Sequence, residues 1–571
     1  MKRIVFATLI PLIAIGCRST ATHESVTEST AQIFSDLGNH QRKITTDSRI
    51  AQQYFDQGLT WTFSFNHDEA IRSFQEAARL DPNCPMPWWG VALCNGPHYN
   101  NPLVDEAHAK AAWEALQQAQ ALRANASPTE RKLIDALAKR YAYPQPANRR
   151  PLDEAYAAAM KPVWEANRSD ADIGTLYAES LMNLQPWDLW TTDDQPKGRT
   201  SEILAVLEEV QQLDPKHPGA CHLYIHACEA GPNPEKALAA ADTLRTLLPA
   251  SGHMVHMPSH IDVRVGQWHK AALQNQRAIK ADAAYRKKSP QQGFYRLYMA
   301  HDHHFLAFVD MMRGRSGAAL TSMRDMVSQI PASFVAQMPE VADLFMIAPI
   351  DVMIRFGQWD DVLAEPAPPT NLPYSTCFYH FARGVAFAAK KQVPEARREQ
   401  ALFRAKMVTI PEDKPFAISP MRSVLNVADK MLEGEIQLGA GDFEAAIVAL
   451  RDAAAAEDKL LYTEPPEWMH PVRQPLGAAL LAVGRVEEAE RVYREDLKHW
   501  PENGWSLHGL AKALRARGEN VEAARVQERF DNVWRGADIQ IDSSCLCVPG
   551  TIAAGTKSGG EDCCVVSASS E

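Results

Sequence analysis

Residues 58–82 read GLTWTFSFNHDEAIRSFQEAARLDP, and this stretch decides the fold. Helix formers dominate it, and its apolar residues recur at helical spacing. Small residues at Gly58 and Ala70 let two helices approach closely, and Pro82 ends the second helix. A helix pair of this kind buries its apolar face only against neighbouring pairs, so the stretch predicts a stacked array.

The same arrangement of Gly, Ala, aromatic and Pro residues recurs along most of residues 49–536. Anchors of the pattern are Gly266-Gln267-Trp268, Gly357-Gln358-Trp359, Gly441-Asp442-Phe443, Gly484 with Ala489, Tyr493 and Pro501, and Gly518 with Ala523. The order of Gly, aromatic residue, Ala, aromatic residue, Ala and Pro resembles the repeat of the tetratricopeptide family. The resemblance implies an all-α, right-handed solenoid of about nine or ten helix pairs with a concave ligand face. An unrelated helical bundle is the alternative fold.

The bulk composition is that of a folded protein without a nucleic-acid footprint. The 571 residues are 46% hydrophobic and 23% charged, and the formal charge is −11. No run of Lys and Arg with interleaved aromatic residues offsets that negative charge. We therefore expect no nucleic-acid partner.

The amino terminus has the order of an export signal. Lys2 and Arg3 precede an apolar run to Ile15 that is too short to span a membrane, and Gly16-Cys17 follows it. This order resembles the lipobox of bacterial lipoproteins, although Ala14 stands where that pattern prefers Leu. The resemblance implies lipidation of Cys17, and Arg18 after it implies an outer-membrane lipoprotein that faces the periplasm or the cell surface. Ordinary secretion is the alternative.

Composition then divides the chain into four parts. Residues 1–16 are the signal peptide and 17–48 a polar, lipidated tether, whereas 49–536 form the solenoid and 537–571 a Cys-, Ser- and Gly-rich tail. In the tail, Cys545 and Cys547, like Cys563 and Cys564, are candidates for disulfides or for a soft metal. Their separation lacks the usual spacing of a structural zinc site.

Three consecutive repeats carry an excess of histidine on their first helices. We aligned them on Ala237, Ala271 and Ala319 and took the positions that line the concave face in tetratricopeptide repeats. Spacings of three and four residues also place these positions on one helix face. The first unit then presents His222, His226 and Glu229; the second His253, His256, His260 and Arg264; the third His301 and His304. Each unit has five such lining positions, which makes fifteen in the three units. Seven of the fifteen are His, where chance predicts fewer than one.

A transition-metal centre on the concave face is the leading hypothesis for this set. Imidazole suits Cu, Zn, Fe and Ni, whereas Ca and Mg prefer oxygen ligands. Copper is slightly favoured over zinc or iron, since thioethers favour Cu(I) and four Met residues are nearby: Met254, Met257, Met311 and Met312. The predicted ligands are His222, His226, Glu229, His253, His256, His260, His301 and His304. An acid–base or anion site and a merely polar groove are the alternatives.

Two further features weigh on this hypothesis. Arg264 lies one turn after His260 and is a candidate for holding a substrate carboxylate or phosphate, with an inter-repeat salt bridge as the alternative. Pro258 interrupts the second unit's first helix, so that His253 and His256 lie in a loop if the helix begins there.

Two functions from different classes fit the sequence. The first is a metal-dependent oxidoreductase or hydrolase that acts on a small molecule or peptide in the groove. The second is a non-catalytic scaffold that binds a peptide or a partner protein, which is the commoner use of such repeats. The Tyr224-Ile225-His226, His256–His260 and His304-Phe305 segments resemble those of a group of exported bacterial tetratricopeptide proteins. That resemblance supports a site without naming a reaction.

The first prediction concerns Cys17. Because the lipobox order ends at this residue, the wild-type chain should fractionate with membranes and incorporate a fatty-acid label. Cys17→Ser should lose both properties, whereas Cys563→Ser, a matched change in the tail, should keep them. Membrane association of the Cys17→Ser variant together with an unlabelled wild type would disprove lipid attachment.

Overall fold

The computed structural model describes residues 31–289 and 291–548, and this part of the chain is all-α. Its only β-type pairings are three isolated bridges. The amino-terminal helices are α1 (Arg49–Phe63), α2 (His67–Leu80), α3 (Met86–Cys94), α4 (Glu106–Ala121), α5 (Pro128–Leu137), α6 (Arg150–Glu165), α7 (Ala171–Met182), α8 (Thr200–Leu213), α9 (Pro218–Glu229), α10 (Leu238–Leu247), α11 (Gly252–His256), α12 (Pro258–Arg264) and α13 (Trp268–Lys288).

The second half continues the pattern after a single 3-10 turn at Gly293–Tyr295. Its helices are α14 (Arg296–Met312), α15 (Ser316–Ser328), α16 (Ala332–Gln337), α17 (Pro339–Ala342), α18 (Ala348–Arg355), α19 (Trp359–Ala364), α20 (Pro373–Ala389), α21 (Val393–Met407), α22 (Met421–Ala440), α23 (Phe443–Glu457), α24 (Arg473–Ala482), α25 (Val486–His499), α26 (Gly504–Ala516) and α27 (Asn520–Val533).

Consecutive helices pack as pairs, from α1 with α2 to α26 with α27. This confirms the predicted solenoid of tetratricopeptide-like helix pairs. Twelve pairs stand in the described residues, with α11 and α12 together acting as one first helix. The expected number of nine or ten helix pairs was too low. Residues 88–204 and 371–410, where the repeat pattern is weak, also fold as helix pairs.

Local sequence signals set the two ends of α2, which lies within residues 58–82. The Asn66 side chain accepts a hydrogen bond from the Glu69 N–H and so caps α2. Asp68 and Glu69 put negative charge in the first turn, where the helix dipole favours it. The helix ends at Leu80, two residues before Pro82, which cannot donate to a further turn.

The ring of Phe74 fills the space between two neighbouring first helices. A Cβ atom on Gly58 would lie 2.6 Å from that ring, and one on Gly90 would lie 2.7 Å from it. Real Cβ atoms do not approach so closely, so both positions require glycine. The contact sets how near α1 and α3 come to each other, with α2 between them.

Tyr493 plays the same part near the other end of the chain. Cβ atoms on Gly477 and Gly509 would lie 2.4 Å and 2.2 Å from its ring. As with Phe74, each glycine stands 16 residues from the aromatic residue along the chain. The repeat unit is therefore the same at both ends of the solenoid, although the sequence between them varies.

The solenoid winds tightly enough for distant repeats to touch. The Trp268 indole donates to the Pro501 carbonyl at 2.8 Å, and the Trp505 indole donates to the Met311 carbonyl at 2.8 Å. The last repeats thus close against α12–α14. The concave face of these repeats is therefore part of the interior of the molecule.

The amino-terminal repeats close on the middle of the chain in the same way. The Arg72 guanidinium donates to the Ser289 hydroxyl at 3.0 Å, and the Tyr285 hydroxyl donates to Glu69 at 2.9 Å. Two apolar cores result, one from Phe34 to Met299 and one from Val263 to Val548. They meet at α12–α14.

The ends of the described chain are packed rather than free. Phe34, Leu37 and Ile44, within the residues 17–48 that we assigned to the tether, are buried in the amino-terminal core. Cys17, Cys563 and Cys564 lie outside the described residues. Among the described helices, none is both long and apolar enough to cross a membrane.

The second prediction tests the contact between helices. Gly477→Ala forces a methyl group into the Tyr493 ring, and overpacking of this kind costs about 1–3 kcal/mol. Gly317→Ala is the matched control, since Gly317 lies in α15 with a single contact at 3.3 Å. We expect a lower thermal midpoint for Gly477→Ala alone; equal midpoints would contradict the close approach.

Candidate metal centre

The eight residues predicted as ligands come together at the junction of the two cores, on α9, α11, α12 and α14. His222, His226, Glu229, His253, His256 and His260 are at most 2% exposed, and His301 and His304 are partly buried. Buried charged or polar groups require partners, so this concentration of imidazoles needs a physical explanation.

Helix α9 begins at Pro218 because His217 caps it. The Nδ1 atom of His217 accepts a hydrogen bond from the Ala220 N–H at 3.0 Å, and Pro218 suits the first helical position. His222 and His226 then follow one turn apart on the buried face, with Glu229 three residues after His226. The helix therefore presents two rings and one carboxylate to the same interior space.

Pro258 divides the next first helix into α11 and α12 without turning the chain away. Met257 between them keeps helical dihedral angles, with φ −49° and ψ −38°. Pro258 lacks an N–H and so costs one hydrogen bond, but the helical path continues. His256 and His260 thus keep their one-turn spacing, and His253 lies in α11 rather than in a loop.

His256, His260 and His301 form the first three-histidine group. The Nε2 atom of His256 lies 2.7 Å from that of His260 and 3.0 Å from that of His301. Nitrogens on one tetrahedral ion at 2.0–2.1 Å lie about 3.4 Å apart, so small outward shifts would admit a cation.

His222, His226 and His253 form the second three-histidine group. The Nε2 atoms of His222 and His253 are 3.1 Å apart, and Nε2 of His226 is buried without a hydrogen-bond partner. One ligand atom from each ring lies within 4.8 Å of the other two. The groups are neighbours, since the His226 and His260 rings are 5.9 Å apart by their centroids.

The hydrogen bonds on the far side of the rings decide which nitrogen carries the proton. His256 Nδ1 faces the Asn275 side-chain oxygen at 2.7 Å, and the Asn275 amide nitrogen donates to the Ala271 carbonyl, which fixes the amide's orientation. His260 Nδ1 faces a Glu229 oxygen at 2.5 Å. Both Nδ1 atoms must donate, because their partners accept.

It follows that Nε2 of a neutral His256 and Nε2 of a neutral His260 both carry lone pairs. Two acceptors 2.7 Å apart repel each other unless a cation lies between them. A shared proton is one such cation, and a metal ion is the other. His222 is in the same tautomer, with the proton on Nδ1 and the lone pair on Nε2, because its Nδ1 faces the Phe63 carbonyl at 2.7 Å.

Burial disfavours the protonated alternative. Burial lowers the pKa of the His222, His253, His256 and His301 rings well below the ordinary 6.5, and the neighbouring imidazoles lower it further. Burial also lowers the pKa of His260, although the Glu229 carboxylate opposes this effect. Neutral rings are the form in which histidine binds metals.

Glu229 joins the two groups on their outer side. One of its oxygens accepts from His226 Nδ1 at 2.9 Å and the other from His260 Nδ1 at 2.5 Å. Burial by itself would raise the pKa of Glu229, but the interactions with His226 and His260 lower it. A carboxylate on the Nδ1 side is the usual arrangement for orienting a metal-binding histidine.

A cavity of about 250 Å³ adjoins both groups. His226 and His253 of the second group, His260 and His301 of the first, and His304 line it. Its other walls are largely apolar, with Leu297, Leu344, Phe345, Tyr374, Phe416 and Met469 among them. The volume and walls suit a small, partly apolar ligand.

Sequence reasoning missed Glu464, which lies in the loop before α24 and lines the cavity. Its carboxyl group is 3.3 Å from His260 Nδ1, and both of its oxygens lack a hydrogen-bond partner. Burial and the Glu229 charge raise the pKa of Glu464 well above its ordinary value. Neither Glu464 nor Asn275 stands at a first-helix lining position, so the repeat register gave no signal for them.

The remaining predicted residues lie at the edge of the centre. His304 lines the cavity but belongs to neither three-histidine group, and burial lowers its pKa to about 4. Arg264 donates to the Gly231 carbonyl at 3.2 Å, stacks on Tyr462 and does not line the cavity. The four nearby Met side chains are buried in the apolar cores.

Another cluster of this type, His40, Asp172 and His217, has a closed hydrogen-bond arrangement. His217 Nε2 donates to Asp172 at 3.0 Å, because its Nδ1 accepts the helix cap. Arg42 also donates to Asp172, at 2.9 Å. These bonds fasten residues 40–42 to α7 and explain the cluster without an ion.

Comparisons with known proteins leave the chain without a family. No family model matches it, and no curated protein matches it. Among solved structures, the human IFIT1 dimer with m7Gppp-AAAA is 14% identical, with 86% of this chain and 91% of that chain covered and a TM-score of 0.32. Yeast Tom70 is 11% identical, with 85% and 92% covered and a TM-score of 0.28. At these scores neither carries an argument about a ligand.

The third prediction tests the orientation of His256. Asn275→Leu removes the nearest acceptor for His256 Nδ1–H and leaves Asp302, at 3.4 Å, so metal binding should weaken about 10-fold or more. Asn275→Asp keeps an acceptor in place and should stay within a few-fold of the wild type. Competition with a chromophoric chelator measures both affinities, and equal affinities for the wild type and Asn275→Leu would contradict the assignment.

Proposed function

We propose that this chain is an exported, lipid-anchored metalloprotein in which two three-histidine groups each bind a transition-metal ion. The ions act on a small molecule in the adjoining cavity, and the reaction class we propose is metal-dependent oxidation or reduction. The observation that carries the proposal is the contact between His256 Nε2 and His260 Nε2, two buried acceptors 2.7 Å apart.

The number of donors favours a reactive site over a structural one. Structural zinc sites are closed by four protein ligands, whereas catalytic sites use three and keep one position open. Each group here offers three imidazoles, and each has members that line the cavity. An open position would therefore face the space where a ligand fits.

Copper is the ion that we propose first, with zinc and iron as alternatives. A donor set of neutral imidazoles suits all three metals and disfavours Ca and Mg. The thioether argument loses weight, because Met254, Met257, Met311 and Met312 are buried in the apolar cores. Bound copper would supply one-electron chemistry at the wall of the cavity.

The chain's own residues hold the rings and meet the ligand. Glu229, Asn275 and the Phe63 carbonyl keep the Nε2 lone pairs directed inwards. Apolar walls exclude water, which strengthens electrostatic interactions inside the cavity. Glu464 has two unpaired oxygens there and is the residue that we expect to hydrogen-bond the ligand.

Export and lipid attachment belong to the same proposal and rest on the order of residues 2–17. A lipid on Cys17 would hold the solenoid at a bacterial outer membrane. The alternative function is a scaffold that binds a peptide or a partner protein. A cavity of about 250 Å³ favours a small molecule over a peptide, so the scaffold alternative would use the outer surface.

The fourth prediction is the metal content of the tag-free protein. After reconstitution with Cu, Zn or Fe and dialysis, the histidine centre of the wild type should retain two ions per chain. The double variant His256→Asn/His301→Asn should lose one ion, and His222→Asn/His226→Asn should lose the other. Elemental analysis gives the stoichiometry, and a wild type that binds no metal would disprove the centre.

His303→Asn is the matched control for these variants. His303 lies in α14 beside His304, but its ring pairs with Ser322 outside the centre. This control should keep both ions, so a loss in it would point to unfolding rather than to ligand removal. Full retention in both double variants would also contradict the assignment.

A spectroscopic test separates catalysis from storage. Azide added to the copper-loaded protein should shift its absorption spectrum if an open position faces the cavity. An unchanged spectrum in a protein that holds both ions would contradict the proposed reaction and leave a storage or structural centre.

A further inference from the structure

The tail after the last helix fills the interior of the carboxy-terminal repeats. The Asp538 N–H donates to the Gly314 carbonyl at 3.0 Å, and the Ser544 hydroxyl donates to the Gln474 carbonyl at 2.9 Å. Tyr493, the ring between two first helices, meets the same Ser544 hydroxyl at 2.7 Å. The segment therefore runs from α15 to α24 and α25 as an ordered part of the fold.

Three metal-ligand side chains meet where this segment reaches α22. One ligand atom from each of Glu435, Cys545 and Cys547 lies within 4.8 Å of the other two. The Cys547 N–H donates to Cys545 Sγ at 3.3 Å, which holds the two cysteines close to each other. Both thiols are free and partly buried.

Glu435 is the residue of this cluster that indicates a bound cation. It lies in the interior of α22, where it is 2% exposed, and its Oε1 atom has no hydrogen-bond partner. Among the described residues no Arg, Lys or His forms an ion pair with it at 4.0 Å or less. The Cys547 thiol is a hydrogen-bond partner of this carboxyl group, but a buried oxygen without a partner is costly, and a cation would remove that cost.

A buried cationic side chain, Arg355, belongs to the surroundings of this cluster. The Arg355 side chain is buried and stacks on the Trp505 ring at 4.0 Å, and its Nε atom has no hydrogen-bond partner. Burial lowers the pKa of Arg355 to about 10, while Cys545, Asp496 and Cys547 act in the opposite direction. The hydrogen bond to Cys545 and burial raise the pKa of the Cys547 thiol well above its ordinary value, so metal binding there would release a proton.

We propose that Glu435, Cys545 and Cys547 bind a zinc ion between the tail and the carboxy-terminal repeats, with its fourth coordination position left to water. Thiolate ligands exclude Ca and Mg and select soft ions such as Zn²⁺ and Cu⁺. The carboxylate decides between these two, since Zn²⁺ accepts Cys and Glu together whereas Cu⁺ prefers sulfur. This site is separate from the histidine centre and does not depend on it.

Cobalt substitution tests the site in the full-length, reduced, metal-free protein. Thiolate ligands give Co²⁺ strong near-ultraviolet charge-transfer absorption, which imidazole ligands do not give. We expect this absorption to reach the intensity of one thiolate-bound Co²⁺ per chain and to disappear once Zn²⁺ exceeds all the metal sites of the chain. Its absence in the folded wild type would overturn the proposal, and this result needs no variant to fold.

Variants then assign the ligands. Cys545→Ser and Cys547→Ser should each lower the charge-transfer absorption, and the double variant should abolish it. Glu435→Gln should weaken Co²⁺ binding while sulfur-to-cobalt absorption remains detectable at high Co²⁺. Glu433→Gln, on the same helix but paired with Arg397, should behave as the wild type. So should His256→Asn/His301→Asn, which separates this site from the histidine centre.

Two further results would overturn the proposal. One is a disulfide between Cys545 and Cys547 in the protein as isolated, detected by mass spectrometry without reduction. The other is unchanged cobalt absorption in both cysteine variants. Limited proteolysis gives the independent readout: Zn²⁺ should protect the chain around residue 548 from cleavage in the wild type and not in Cys547→Ser.

Discussion

The approach of neighbouring first helices across one aromatic ring is the constraint on which the other features of this molecule depend. Phe74 fits between Gly58 and Gly90 only because neither position carries a Cβ atom. With the spacing of the helices set in this way, each pair adds a rotation of the same sign to the stack. The solenoid then closes on itself, as the bond from Trp505 to the Met311 carbonyl shows.

Closure changes the chemistry of the concave face. An open groove would leave the histidines in water, where their hydrogen bonds are easily satisfied. In the closed solenoid the rings are buried, and Asn275, Glu229 and the Phe63 carbonyl accept the Nδ1 protons of His256, His260 and His222. The same bonds make the Nε2 lone pairs of His256 and His260 face each other at 2.7 Å, which is why the arrangement favours a cation.

The two halves of the molecule use their interior differently. In the middle repeats the interior holds imidazoles and a small cavity, whereas in the carboxy-terminal repeats the chain's own tail occupies it. Ser544 contacts Tyr493 there, so the tail reaches the ring that spaces α24 and α26. Packing of the tail and packing of the helices are therefore coupled in this half, which is a reason for the tail to be fastened.

The sequence by itself determined the repeat unit and the face of each first helix. Gly58, Phe74 and Pro82 predict the helix pair because glycine, aromatic and proline positions act through local sterics and local packing. The helical period likewise predicts that His222 and His226 share one face with Glu229. For these residues, the nearest neighbours in sequence are also those that set the geometry.

Only the tertiary structure decided what that face encloses. The tightness of the winding depends on contacts between residues hundreds of positions apart, such as Trp268 with Pro501, and no local pattern encodes them. The split of the histidines into two groups, and the arrival of Glu464 beside His260, follow from that closure. Helical periodicity gives the direction of a side chain, whereas the identity of its partner depends on the rotation accumulated over all the intervening repeats.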